Sequence, residues 1–331
     1  MKAMQSDAGS GTHLGLTIER ALKDIPGFAD AAAGAARSIH DAVVGGGRPA
    51  RLAADLLHGT WLGHPLHALL VEIPVGTWSA SALFDLIAMA TGSREAAWAA
   101  DALIATGAAA AVPAAMAGAM DYSAAKQEAT PAIALHAILN SAALGLFLAS
   151  LAARRAGSRG LGVGLSYSAL AIAGGSAWIG GDLVYRHGVG VNHSPAPGHA
   201  EGWIAVLDEG ELAVGESRRV VISGDPVMVH RAPDAVYAIG AVCSHAGGPL
   251  EEGTVSEDCV ECPWHQSVFD LRDGSVVHGP ATMPQPGYEA RVSGGLVEVR
   301  LRGQYNGPAE TPAHEPGPGR DDDREQEIGG S

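Results

Sequence analysis

Aromatic residues make up only 5% of this chain of 331 residues, charged residues only 17%, and cysteine occurs three times. Three cysteines cannot build a disulfide scaffold. Positive charge is in deficit: 21 Lys and Arg face 36 Asp and Glu, for a formal net charge of −15. That balance argues against a nucleic-acid partner, and part of it is bunched in Asp321, Asp322, Asp323, Glu325 and Glu327. No glycine fingerprint for NAD or FAD is present. Met1 to Gly15 holds a single Lys and no apolar run of signal-peptide length, so a cleaved secretion signal is not expected. Glycine, by contrast, occurs 45 times and alanine is abundant. Mean hydropathy is positive at +0.12 despite the charge, as expected of two unlike halves in a chain long enough for two or three domains.

Residues 1–55 read as an amphipathic helical segment. Ile18, Leu22 and Ile25, then Leu52, Leu56 and Leu57, recur at helical spacing, with Pro26, Gly45-Gly46-Gly47 and Pro49 as breaks. Arg37, Arg48 and Arg51 suit either an anionic lipid surface or a solvated helix face. Residues 56–190 contain four apolar stretches, about 66–90, 97–120, 132–153 and 161–181, each long enough to cross a hydrocarbon core of roughly 30 Å. Glu72, Asp85 and Asp101 interrupt them, which leaves a soluble Ala-rich bundle as the competing reading. The full polar face of a soluble helix is missing, however, and Gly107, Ala108 to Ala111, Ala114 and Ala115 permit the close backbone approach of membrane helices.

Four crossings return the chain to the side on which it entered, here side A. His64 and His67 then open the first span and His136 and Asn140 lie early in the third, while Asp121 and Asp182 close the second and fourth. Ionisable groups in such segments are functional candidates by default. His67 and His136, at comparable depth, would clamp a haem b iron or line a quinone pocket; alternatively, His64, His67, Asn140, Asp121 and Asp182 form a hydrogen-bonded cap. Near the membrane, Arg94, Arg154, Arg155 and Arg159 on side B slightly outnumber Lys126, Arg186 and Arg51 on side A, which leans towards side B in the cytoplasm and the β domain outside, by a count too close to decide orientation. Several runs in this half resemble the bacterial membrane family DUF2231: Gly59-Thr60-Trp61-Leu62-Gly63-His64-Pro65-Leu66-His67, Pro74-Val75-Gly76-Thr77-Trp78, Gly118-Ala119-Met120-Asp121 and Gly180-Gly181-Asp182-Leu183-Val184-Tyr185. The resemblance implies a four-helix membrane domain and no established activity.

Residues 191–202 read as a Gly/Pro linker, with His187, His193 and His199 scattered in and before it as solvent-exposed side chains. From 203 to 302, short β-rich runs at 220–222, 227–229, 236–239, 267–270 and 296–301 alternate with Gly, Pro and Asp turns, the pattern of a small antiparallel β domain. Residues 303–331 read as a disordered acidic tail.

Within the β domain, Cys243-Ser244-His245 and Cys262-Pro263-Trp264-His265 each supply one thiolate and one imidazole. Two soft and two borderline ligands suit a tetrahedral zinc or a [2Fe-2S] cluster with two His on one iron. Cys-x-His is an unusual zinc knuckle. The two segments, with Gly247-Gly248-Pro249-Leu250, Gly253, Phe269-Asp270 and Gly274, resemble the Rieske [2Fe-2S] family. The resemblance implies one [2Fe-2S] cluster on Cys243, His245, Cys262 and His265, one-electron transfer, and the two imidazoles at an exposed tip as the contact point for a redox partner. High-potential members share Ser267 but carry Tyr where this chain has Phe269, and a disulfide where it has Gly248 and Trp264. Both departures imply the ferredoxin-like subgroup. Gln266 stands where Gly is usual, and Cys259 reads as an ordinary thiol packed beside the loop.

The fold expected is therefore an α-helical transmembrane four-helix bundle followed by a small all-β Rieske domain, in a multi-pass protein of the cell membrane with the side of the β domain undecided. The function expected is that of a membrane-anchored one-electron carrier working with a reductase, oxygenase or respiratory component, an electron-transfer component rather than a stand-alone enzyme. The alternatives are a membrane oxidoreductase whose bundle binds quinone or haem with the cluster as internal relay, and a redox-sensing module.

Overall fold

The structure is a computed structural model that describes residues 14–194, 196–197 and 202–302. The first thirteen residues, His199 and the acidic tail lie outside the described residues. Three helices precede the bundle: α1 (Leu14–Lys23), α2 (Phe28–Gly45) and α3 (Gly47–His58). They lie against the side-A end of the spans. Helix α2 buries Ala32, Ala33 and Ala36 there, and the Tyr122 hydroxyl donates to the Ala32 carbonyl.

The first span is two helices, α4 (Leu66–Leu70) and α5 (Glu72–Thr91). Pro74 accounts for the break: it has no N–H to give the Leu70 carbonyl, and its ring crowds that carbonyl. The others are α6 (Arg94–Ser123), α7 (Thr130–Arg155) and α8 (Arg159–Tyr185), each longer than its apolar stretch. Among the described residues, four helices, counting Leu66–Thr91 as one, are long and apolar enough to cross a membrane. Helix α5 packs along α6 and α7 along α8, with α6–α7 and α5–α8 contacts closing the ring. The first and third spans are thus diagonal. Leu83, Met89, Trp98, Val112, Met116, Ile138, Leu148 and Leu161 are more than half exposed on the outer surface, the arrangement lipid rather than water favours.

Of the three acids that interrupt the apolar runs, Asp85 and Asp101 meet partners inside the bundle, while Glu72 is exposed. On side B, Arg154 reaches Asp85 (2.5 Å), Asp101 (2.8 Å) and the hydroxyls of Ser150 and Ser166, while Arg159 reaches Asp85 (3.0 Å) and Asp101 (3.2 Å). One network joins all four spans, and its carboxylates and guanidiniums satisfy one another where lipid could not. Above it, Trp78 and Phe147 stack across the diagonal with ring centres 4.2 Å apart.

The β domain holds ten strands: β1 (Ile204–Asp208), β2 (Ser217–Ile222), β3 (Asp225–Arg231), β4 (Val236–Gly240), β5 (Thr254–Ser256), β6 (Cys259–Glu261), β7 (Val268–Asp270), β8 (Val276–His278), β9 (Gly287–Ser293) and β10 (Leu296–Leu301). A six-stranded antiparallel sheet runs β1-β10-β9-β4-β3-β2 and a four-stranded one β5-β6-β7-β8. The β9–β10 turn is Gly294-Gly295, at φ +60° and +82°, the left-handed pair a two-residue hairpin turn requires. Val227, Val229, Val297 and Val299 fill one core; Met228, Ile239, Leu250 and Phe269 fill a second, which runs to Cys243 and Cys262.

The linker is structured where it is described. After Tyr185 the chain turns through Gly188 at φ +68°, and Val189 N–H bonds the Leu183 carbonyl, closing the helix end. His193 is half-buried, with its amide on the Ser244 carbonyl at 2.9 Å and its Nε2 2.9 Å from the Gly188 carbonyl; His187 Nε2 is buried too. Neither is the exposed linker histidine expected from the sequence, because each packs against a helix end or the β domain.

Candidate iron–sulfur site

The two Cys/His segments occupy facing loops. The first lies between β4 and β5, closed by Cys243 N–H to the Gly248 carbonyl and Gly247 N–H to the Cys243 carbonyl, both 2.8 Å, with Gly247 at φ +85°. The second joins β6 to β7 and is closed by Cys262 N–H to the Ser267 carbonyl at 2.8 Å and Gln266 N–H to the Cys262 carbonyl at 3.1 Å. Gln266 sits at φ +62°, which is why glycine suits that position and why glutamine there is strained.

Both thiols are buried, at 1% and 2% exposure, and face one another. The amides of His245 and Ala246 point at the Cys243 sulfur and those of Trp264 and His265 at the Cys262 sulfur. Four N–H donors on two sulfurs are an environment for thiolate. The shared hydrogen bond between the sulfurs pulls Cys262 down to about 7 and, with burial, pushes Cys243 up. Burial also lowers both imidazoles, His265 to about 4 and His245 well below its ordinary value, so both are neutral at pH 7. Their Nδ1 atoms are buried without a hydrogen-bond partner. Buried nitrogens without a partner are rare, and a metal held by both imidazoles would account for the two.

The ring centres of His245 and His265 are 5.0 Å apart with planes at 84°. A metal–nitrogen bond of about 2.0 Å plus about 1.2 Å to the ring centre places two imidazoles on one tetrahedral metal about 5.2 Å apart. The spacing therefore fits one iron held by two imidazoles. A zinc reading would need three or more ligands converging on a single ion, and among the described residues no such group of His, Cys, Asp or Glu exists. The donors fit a two-iron cluster, thiolates on one metal and imidazoles on the other.

Around these loops, Ser267 is fully buried and its hydroxyl oxygen accepts the Ala281 N–H at 3.0 Å, leaving its own proton free. A Cβ added to Gly248 would lie 2.8 Å from the Cys262 sulfur and 3.1 Å from the Trp264 ring, so the indole covers the place of a cross-loop disulfide. The Gln285 amide ties the first loop to the linker, donating to the Val242 carbonyl (3.0 Å) and Ser194 (3.1 Å) and accepting from Ser244 N–H (2.7 Å). Sequence reasoning missed Gln285, which no spacing marks. Cys259, half-buried on β6, pairs across to Asp270 on β7 and stands outside the core that holds the ligand cysteines.

The imidazoles are not at an open tip. Asp55 of α3 sits 2.7 Å from His278 Nδ1 and accepts the Gly279 N–H at 2.8 Å, and Arg51 faces Glu261 at 3.6 Å. A cavity of about 40 Å³, room for two or three waters, is enclosed by His40, Arg51, Asp55, His58, His265 and Gln266. What stays open beside the ligands is Trp264, 51% exposed, with Pro263.

The membrane histidines do not form the expected cap. Asp121 pairs with His58 (3.1 Å), Asp182 with Arg186 (2.7 Å), and His64 is exposed. His67 and His136 do come together, with ring centres 6.5 Å apart.

Residues 63–193 match the model of DUF2231, a predicted membrane protein family, and residues 202–289 that of the Rieske [2Fe-2S] domain. The anthranilate 1,2-dioxygenase ferredoxin subunit of Burkholderia cepacia is 37% identical over 91 residues, 28% of this chain and 84% of that one. Ferredoxin CarAc of Metapseudomonas resinovorans is 34% identical over 98 residues, 29% of this chain and 92% of that one. Among solved structures, the ferredoxin of carbazole 1,9a-dioxygenase from Nocardioides aromaticivorans IC177 is 33% identical, is matched over all of its chain and 31% of this one, and gives a TM-score of 0.30.

Proposed function

Because the chain belongs to the Rieske [2Fe-2S] family and carries that domain behind a DUF2231 membrane domain, we propose that it is a multi-pass, membrane-anchored carrier of single electrons. Cys243 and Cys262 are the thiolate ligands and His245 and His265 the imidazole ligands. The observation that carries this is the pair of buried, unpartnered Nδ1 atoms on the same two loops as two buried sulfurs that already receive four amide hydrogen bonds.

The bound cluster supplies reversible one-electron chemistry. This chain's residues set its potential and its access. The amides of His245, Ala246, Trp264 and His265 stabilise negative charge on sulfur, and Ser267 has a free proton to add. Phe269 offers none, and Gly248 with Trp264 stands where a disulfide would be, so the potential belongs with the ferredoxin-like kind. The relatives above are ferredoxins, two of them named as ferredoxins of dioxygenases, and the partner proposed here is of that class: a reductase supplying electrons and an oxygenase or other oxidase taking them. Trp264 and Pro263 are the open edge through which such a partner approaches. The bundle's apolar outer surface makes lipid the other partner, in the cell membrane.

Electron paramagnetic resonance of the dithionite-reduced, full-length protein tests the reading. A rhombic signal with a low average g value, lost in Cys243→Ser and in His265→Ala, is expected. Its absence from iron-loaded protein overturns the assignment.

A further inference from the structure

His67 and His136 come from diagonal spans, yet their rings face each other inside the bundle at 6.5 Å between centres, with planes at 82°. Each is oriented in the same way. His67 Nδ1 lies 2.8 Å from the Ala114 carbonyl of α6, and His136 Nδ1 lies 2.9 Å from the Ser176 carbonyl of α8. A carbonyl on Nδ1 fixes the tautomer with the proton there and leaves Nε2 as the lone-pair nitrogen, the arrangement seen when a metal-bound His is held from behind. Four residues past each carbonyl stands a glycine whose added Cβ would meet the ring: Gly118 at 2.9 Å from His67 and Gly180 at 3.2 Å from His136. On the even-numbered spans the Ala114 carbonyl faces His67, and the Ser176 carbonyl and hydroxyl face His136.

The likeness is part of an internal two-fold relation. Trp78 and Phe147, which stack, stand eleven residues after the two histidines; Asp85 and Arg154, which pair, stand eighteen after. The three diagonal pairs mark one axis down the bundle. Only at the histidine level do both halves present the same side chain, so a ligand on that axis meets two equivalent donors.

The spacing is compatible with a ligand between the rings. Imidazoles on one tetrahedral ion stand about 5.2 Å apart at their centres, as His245 and His265 nearly do, whereas imidazoles on opposite sides of one metal stand about 6.4 Å apart. The 6.5 Å observed matches the second. Among the described residues no third His, Cys, Asp or Glu joins them, so the protein does not complete a site for a bare ion. A group that brings its own four equatorial nitrogens needs two axial imidazoles and nothing more.

We propose that His67 and His136 are the axial ligands of one b-type haem held within the side-A half of the bundle. Asn140, whose amide nitrogen now lies 3.0 Å from His136 Nε2 and 3.1 Å from its carbonyl, swings aside when the iron is bound. The haem lies on the same face as the β domain, and the inference stands whether or not the Rieske ligand assignment does.

The test uses the full-length protein, purified in mild detergent from cells supplied with a haem precursor. Expected are a reduced-minus-oxidised α band of b type, one haem per chain by pyridine haemochrome, and a low-spin ferric signal. His67→Ala and His136→Ala each lose the haem or convert it to a five-coordinate, high-spin form. His64→Ala, altering an exposed histidine of the same segment, keeps it unchanged. The signal of the reduced [2Fe-2S] cluster, present in all three variants, reports that the chain is folded. Haem missing from protein that carries the cluster, low-spin haem retained in both variants, or a bare metal ion or quinone found in its place overturns the proposal.

Discussion

Ser267 and Phe269 stand two residues apart on either side of one decision about potential. The Ser267 oxygen is occupied by the Ala281 N–H, so its proton is free to stabilise added charge on a cluster sulfur; Phe269, fully buried in the same core as both cysteines, has none to give. A hydrogen bond worth about 0.5–1.5 kcal/mol corresponds to about 20–60 mV for one electron. Phe269→Tyr is expected to raise the potential by about that much if its hydroxyl reaches the cluster. Ser267→Ala is expected to lower it by a similar amount and to cost about 1–3 kcal/mol of stability, since it strands the Ala281 amide. Redox titration followed by paramagnetic resonance reads both shifts, and opposite signs are the diagnostic result. The ligand types and spacing were legible at this scale because they are local in sequence. The orphan Nδ1 atoms, the four amides on sulfur and the Gln285 brace were not, because each depends on loops brought together by the sheets.

At the level of elements, the spans were legible from their apolar length, and the acids within them looked like exceptions. Asp85, Asp101, Arg154 and Arg159 resolve that exception by meeting, which no periodicity could reveal because the partners lie on different helices. The kink between α4 and α5 follows from Pro74, a signal present in the sequence. Strands β2, β3, β4, β7 and β10 coincide with Val-rich runs. Strands β5, β6 and β8 are, like β7, only three residues long, but no apolar run in the sequence marked them, and pairing with their neighbours defines them. The network gives a ranked expectation. Asp85 is fully buried and touches both arginines, so Asp85→Asn leaves uncompensated charge inside the bundle and should destabilise it by about 3–5 kcal/mol. Asp101, with its side chain 34% exposed, is worth about 1 kcal/mol or less, and Asp101→Asn should be mild. Thermal unfolding in detergent orders the two, and equal losses would deny the central place of Asp85.

Taken whole, the molecule folds its iron–sulfur loops back onto its own helices. Asp55 holds that contact through His278 and the Gly279 amide, so Asp55→Ala should raise hydrogen exchange around residues 262–266 and 278–281 while β3 and β4 keep their protection. Unchanged exchange would mean the contact is held elsewhere. The same docking bears on which side of the membrane the domain occupies. Because α1 to α3 lie against side A, they add Arg20, Lys23, Arg37 and Arg48 to Arg51, Lys126 and Arg186 there; Glu19 of α1 reaches Arg186 at 2.6 Å. Side B has Arg94, Arg154, Arg155 and Arg159, and two of these are spent on Asp85 and Asp101 within the bundle. The near-tie counted along the sequence becomes a clear excess on side A once the helices are placed, and positive flanks stay in the cytoplasm. The β domain, on side A, should therefore be cytoplasmic, where a soluble reductase and oxygenase can reach Trp264. A cysteine introduced at exposed Val221 of β2 should resist a membrane-impermeant maleimide in intact cells, while one at Arg94 should react. The reverse labelling would put the iron–sulfur domain outside and exclude a cytoplasmic partner.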